Sequence, residues 1–115
     1  MKTEAPAVTK LYDIMLWSFE RVEKYPRDCK FTLGDRIVNN LLQSLDHLIT
    51  AAYTRDKLSS LRAVNLELEK LRFLMRLSKD RKAISIRQYE FISTELDTLG
   101  KMIGGWIKAK SGENV

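Results

Sequence analysis

Cysteine, histidine and proline are nearly missing from this 115-residue chain, with one Cys, one His and two Pro. A single cysteine, Cys29, makes no intrachain disulfide and anchors no thiolate metal cluster. His47 alone cannot supply the two Glu-x-x-His pairs of a di-metal bundle. It falls on the side of a predicted helix, off the apolar stripe, and reads as a surface or boundary histidine rather than a general base. Cys29 lies between Asp28 and Lys30 without an activating base in the sequence, and reads as a free surface thiol in a polar loop. There is no glycine-rich phosphate loop and no HExxH motif. No stretch approaches the roughly 20 apolar residues of a membrane span, and MKTEAPAVTK has no apolar run of signal type. These absences point to a cytoplasmic, non-enzymatic protein with no metal, cofactor, small-molecule substrate or membrane partner.

What is present is helical periodicity in a single domain, 1–115. Val8, Leu11, Tyr12, Met15, Phe19 and Val22 share one face of a first helix, 7–25, which Pro26 ends. Ile37, Leu41, Leu45, Leu48 and Ala52 mark a second, 33–54, with Thr32 and Asp35 resembling a capping box. Leu61, Val64, Leu68, Leu71 and Met75 line a third, 60–79, capped near Ser59 or Ser60. Ser85 and Gln88 form a capping box for a fourth, 86–109. Its seam of Tyr89, Ile92, Leu96, Leu99, Ile103 and Trp106 alternates spacings of three and four. The tail, 111–115, is expected to be disordered. Short connections make neighbours antiparallel, so the fold class is all-α, an up-down-up-down antiparallel four-helix bundle.

The charge is local. From Lys70 to Arg87, seven basic residues face one acid, Asp80, so that stretch carries +6 and the rest of the chain −1 of the total +5. Arg72 and Arg76 are four apart and share a helical face, which Lys79 continues within a turn. Arg81, Lys82 and Arg87 follow in the loop and next helix. Arginine and lysine along a ridge suit the phosphates of a nucleic acid, with affinity that falls as salt rises. No base-reading motif accompanies them, so no sequence specificity is implied. Pairing of Arg72 with Glu69 at i,i+3 is the competing explanation.

Apolar residues also exceed what one bundle core needs. On the third helix Leu66, Phe73 and Leu77 stand well away from the core stripe. On the first, Trp17 points almost opposite it, with Ile14 on its flank. Each large side chain left wet forgoes roughly 1.5–3 kcal/mol of burial. These residues form the expected surface of a homo-oligomer. The GxxxG spacing of Gly100 and Gly104, with Gly105 beside it, predicts close approach by a neighbouring helix.

The stretches LYDIMLW, KYPRDCKFTLGDRI, AAYTRDKL, LEKLRFLMRLSKD, SIRQYEF and GKMIGGWIK run in order through nearly the whole chain. In that order they resemble the Avd family, the accessory variability determinants of diversity-generating retroelements. They are also similar to the related ribosomal-RNA intervening-sequence proteins. The resemblance implies a bundle assembled as a ring-like homopentamer that binds DNA, RNA and the retroelement reverse transcriptase, supports mutagenic retrohoming and has no catalytic site. It places the family's basic residues of the third helix at Arg72 and Arg76. Extension to Lys79, Arg81, Lys82 and Arg87 rests on their placement. The intervening-sequence branch implies instead an oligomeric bundle scaffold with no nucleic-acid role. The SGENV ending departs from the longer basic tail of some relatives.

Overall fold

Pro26 organises the first half of the bundle. In this computed structural model, which describes residues 6–113, α1 (Pro6–Glu23) stops just before it. The amides of Lys24 and Tyr25 close the end of α1 on Arg21 O (2.9 Å) and Val22 O (3.0 Å). Pro26, at φ −56° and ψ 151°, then opens α2 (Arg27–Cys29). A π-helical turn (Lys30–Gly34) carries α2 without a break into α3 (Asp35–Tyr53). The second helix thus begins earlier than the expected residue 33. Proline has no amide hydrogen to satisfy, which suits it to a helix start. Thr32 is not a cap, for its hydroxyl donates back to Cys29 O at 3.3 Å, as helix-interior threonines do. Cys29 is buried on this helix rather than exposed in a loop.

α4 (Leu58–Asp80) and α5 (Ile86–Glu113) complete the bundle. No serine caps α4. Instead the ammonium of Lys57 donates to Ala51 O (2.7 Å) and Thr54 O (2.8 Å), answering carbonyls at the end of α3. The capping box of α5 forms as expected. The Ser85 hydroxyl accepts from Gln88 N–H at 3.0 Å, and Gln88 Oε1 accepts from Ser85 N–H at 2.9 Å. α5 runs on through residues 111–113, which were expected in a disordered tail, because each added residue gains a helical hydrogen bond once the helix is nucleated. Residues 114–115, the rest of that tail, lie outside the described residues.

Contacts between distant residues fix the topology. Lys10 pairs with Glu95 at 2.9 Å while Trp17 meets Phe91, so α1 and α5 are antiparallel. Arg72 meets Asp97 while Lys79 meets Tyr89, so α4 and α5 are antiparallel too. Asn40 bonds Glu67 and Lys57 bonds Ala51, which closes the α3–α4 hairpin. The result is the expected antiparallel helical bundle, with no strand among the described residues. At about 1.5 Å per residue, the 28 residues of α5 account for most of the long axis of 48 × 21 × 20 Å.

The α5 seam is the centre of the core: Ile92, Leu96, Leu99 and Ile103 are at most 1% exposed. Leu61, Val64, Leu68, Leu71 and Met75 of α4 pack with it. Two residues of α1 exchange the expected roles. Tyr12 is 56% exposed and Ile14 only 1%. α1 packs against both α3 and α5, so its buried arc, Leu11, Ile14, Met15, Ser18 and Val22, is centred away from Tyr12. Trp17 is half-buried, with its ring 5.3 Å from that of Phe91, and offers less free surface than its place on the wheel implies.

Ser78 continues the α4 seam at a position where an apolar residue would fit the pattern. The buried Tyr25 hydroxyl donates to it at 2.9 Å, and the Ser78 hydroxyl donates on to Leu74 O at 2.9 Å. This relay pins the first connection against the end of α4. Tyr25→Phe is expected to cost about 1 kcal/mol in chemical denaturation at neutral pH. Burial pushes the Tyr25 hydroxyl above its ordinary range; the Ser78 hydrogen bond pulls it partly back and Cys29 adds to the rise. With the folded value raised, the neutral phenol contributes its stability fully below about pH 10. That contribution is lost as pH climbs through the folded value. Tyr25→Phe should therefore remove part of the alkaline decline in stability.

Candidate nucleic-acid interface

The six basic residues singled out in the sequence do not form one free ridge. Arg72 is engaged by carboxylates of the same chain. Its guanidinium ion-pairs with Asp97 of α5 and, at 3.5 Å, with Glu69 one turn back, so the i,i+3 pairing is real. Its Nη2 also lies 3.5 Å from Leu96 O. Gly100 gives this group room, for a Cβ there would come within 3.1 Å of Arg72 Nη2. A Cβ at Gly104 or Gly105 would have nothing within 4 Å, so among the described residues no other helix approaches them closely.

Lys79 is partly engaged. Its ammonium sits 4.7 Å from the centroid of the Tyr89 ring and 3.4 Å from Asp80. Arg81 reaches Asp28 at 3.4 Å, but both side chains are more than half exposed. Such pairs contribute little, about 0–1 kcal/mol, and a phosphate can displace the carboxylate. Arg76, Lys82 and Arg87 are exposed and make no ion pair among the described residues.

The fold adds what the sequence reading missed. The Tyr25–Ser78 and Arg81–Asp28 contacts bring the first connection against the third. Lys24, Arg27 and Lys30 thereby join Lys79, Arg81, Lys82 and Arg87 at one end of the bundle. Segments 24–30 and 79–87 hold seven basic residues and two acids, Asp28 and Asp80. Their balance of +5 equals the formal charge of the whole chain. Lys24, Arg27 and Lys30 make no ion pair among the described residues either. Phe31, 67% exposed, follows Lys30 on the π-helical turn. The available signal was the KYPRDCK stretch itself, whose basic residues are too few to stand out until the fold adds the other segment.

Leu66, Phe73 and Leu77 of α4 remain exposed, as expected of them in a single chain. Leu42 and Ile49 of α3 and Leu16 of α1 are exposed as well. His47 is half-buried on α3. No group of three or more His, Cys, Asp or Glu among the described residues could hold a metal ion. No described helix is long and apolar enough to cross a membrane.

No curated protein matches the chain. A family model described as bAvd-like matches residues 7–110, nearly its whole length. That agrees with the resemblance carried by the motifs from LYDIMLW to GKMIGGWIK, and the protein belongs to the bAvd-like family.

Proposed function

We propose that the protein is a non-enzymatic accessory protein of a diversity-generating retroelement. It binds DNA and RNA with little sequence preference, docks the retroelement reverse transcriptase, and supports mutagenic retrohoming in the cytoplasm. The observation that carries the nucleic-acid part is the joining of two basic segments at one end of the bundle, with Arg27, Lys82 and Arg87 among the cations left without carboxylate partners. Clustered cations raise the local field, and release of counterions from phosphates makes their binding favourable and salt-dependent.

The exposed face of Leu66, Phe73 and Leu77 supports assembly into a ring-like homopentamer, for which the family resemblance supplies the ring size. Repetition of a modest basic end around a ring strengthens binding through avidity. A bundle scaffold of the intervening-sequence type shares the apolar face but predicts no retention on nucleic acid. Phe73→Glu places a charge in that face and is expected to convert the assembly to monomers in native mass spectrometry. DNA affinity should fall at least tenfold with it, as avidity is lost. A Phe73→Glu chain that stays assembled and binds DNA unchanged contradicts this role for the face. A wild-type protein that retains no DNA or RNA at physiological salt favours the scaffold.

A further inference from the structure

Lys82 holds the only positive φ among the described non-glycine residues, 65°. It follows the cap of α4, where its own N–H bonds Lys79 O at 2.9 Å and the N–H of Ala83 bonds Ser78 O at 2.8 Å. This is the Schellman closure of a helix, and glycine ordinarily fills the left-handed position because it has no Cβ to clash. A lysine here accepts backbone strain that the two closing hydrogen bonds hold in place, and strained residues of this kind cluster at functional sites.

Lys82 lines a hollow of about 810 Å³ between the end of α4 and the start of α5. That size lies within the roughly 300–1,000 Å³ of small-ligand sites. Lys79 lines it too, with its ammonium already placed over the Tyr89 ring. The capping box takes the N–H of Gln88 and Ser85 O takes that of Tyr89, so the first turn of α5 offers an anion only the amides of Ile86 and Arg87. The cations that line the hollow are the two lysines. Ile86, 69% exposed, and the half-buried Tyr89 give the hollow an apolar side. Asp80 and Glu90 also line it and oppose the accumulation of further negative charge. One phosphate joined to a flat, apolar-faced group fits this lining better than a track of phosphates.

We propose that the hollow takes one unstacked nucleotide of a single strand, with its phosphate on Lys79 and Lys82 and its base against Ile86 and Tyr89. Base–aromatic contact beside cations is how single strands are held without sequence preference. A duplex keeps its bases stacked and cannot fill the hollow without opening. The proposal rests on the nucleic-acid reading above and specifies which form of nucleic acid this part of the basic end selects.

The test compares fluorescein-labelled oligothymidine, alone and in duplex with oligoadenine, on wild type, Lys82→Gly, Lys82→Asn and Tyr89→Leu. Glycine and asparagine both tolerate the left-handed backbone, so the melting temperature of the two Lys82 variants should hold or rise. Wild type is expected to prefer the single strand. Each Lys82 variant should lose roughly tenfold in single-strand affinity, with a smaller loss on the duplex. Tyr89→Leu should reduce the single-strand preference while duplex binding persists. Equal losses on both forms, or unchanged single-strand binding, overturn the hollow as a site and leave general nucleic-acid binding standing. A wild type that binds neither form overturns both.

Discussion

Reversing Arg76, Lys82 and Arg87 together to Glu is expected to lower DNA and RNA affinity by roughly a thousandfold near physiological salt, with the helical signal unchanged. All three side chains are exposed and none has an ion-pair partner among the described residues, so their loss breaks no internal contact. Each lost phosphate contact removes about tenfold at moderate salt, and reversal adds repulsion. Arg72 is the wrong residue for this experiment, although the family resemblance points to it. Arg72→Glu would set a third carboxylate beside Asp97 and Glu69 and loosen α4 from α5. Weakened binding in that variant would report damaged packing as much as a lost contact. An Arg72→Glu protein as stable as wild type in denaturant would show that the pair with Asp97 holds nothing together.

Gly34→Ala is expected to destabilise the protein by on the order of 1–2 kcal/mol, even though alanine is the better helix former. Gly34 already has helical backbone, φ −60° and ψ −47°, so conformation does not require glycine here. Space does. An added Cβ would lie 2.8 Å from Val22 Cγ1, with Cys29 O at 3.7 Å and the Tyr25 ring at 3.8 Å behind it. Val22 is buried and β-branched, with one strongly preferred helical rotamer, so it cannot swing aside. The overpacking, about 1–3 kcal/mol, outweighs the propensity gain of about 1 kcal/mol. Val22→Ala should relieve the clash. In a double-mutant cycle the pair should then show a favourable coupling on the order of 1 kcal/mol. A Gly34→Ala protein more stable than wild type would mean that α1 and the π-helical turn can separate freely. The same close approach seats the segment carrying Lys24, Arg27 and Lys30 at the basic end.

The parts of the fold that were legible in the sequence rest on local pattern. The α5 seam from Ile92 to Ile103, the Ser85–Gln88 box and the break at Pro26 each follow from neighbours within a turn or two, and each is seen. The π-helical turn was not legible. Polar neighbours place Cys29 in a loop and the spacing to Asp35 makes Thr32 a cap, whereas the chain is helical through both. The candidate site was legible in part. Arg76, Lys82 and Arg87 were found from charge density alone. The pairing of Arg72 with Asp97, and the arrival of Lys24, Arg27 and Lys30, depend on contacts between residues 25 to 53 apart, which a single helical wheel cannot register.

The salt dependence of DNA affinity, measured for wild type and for an Arg27→Gln, Lys82→Asn, Arg87→Gln variant, tests the basic end most directly. Each phosphate neutralised contributes a slope of about −0.9 in log K against log salt on duplex DNA. The account predicts that the variant's slope is shallower by roughly 2–3, with folding unchanged. Parallel slopes for the two proteins would contradict it.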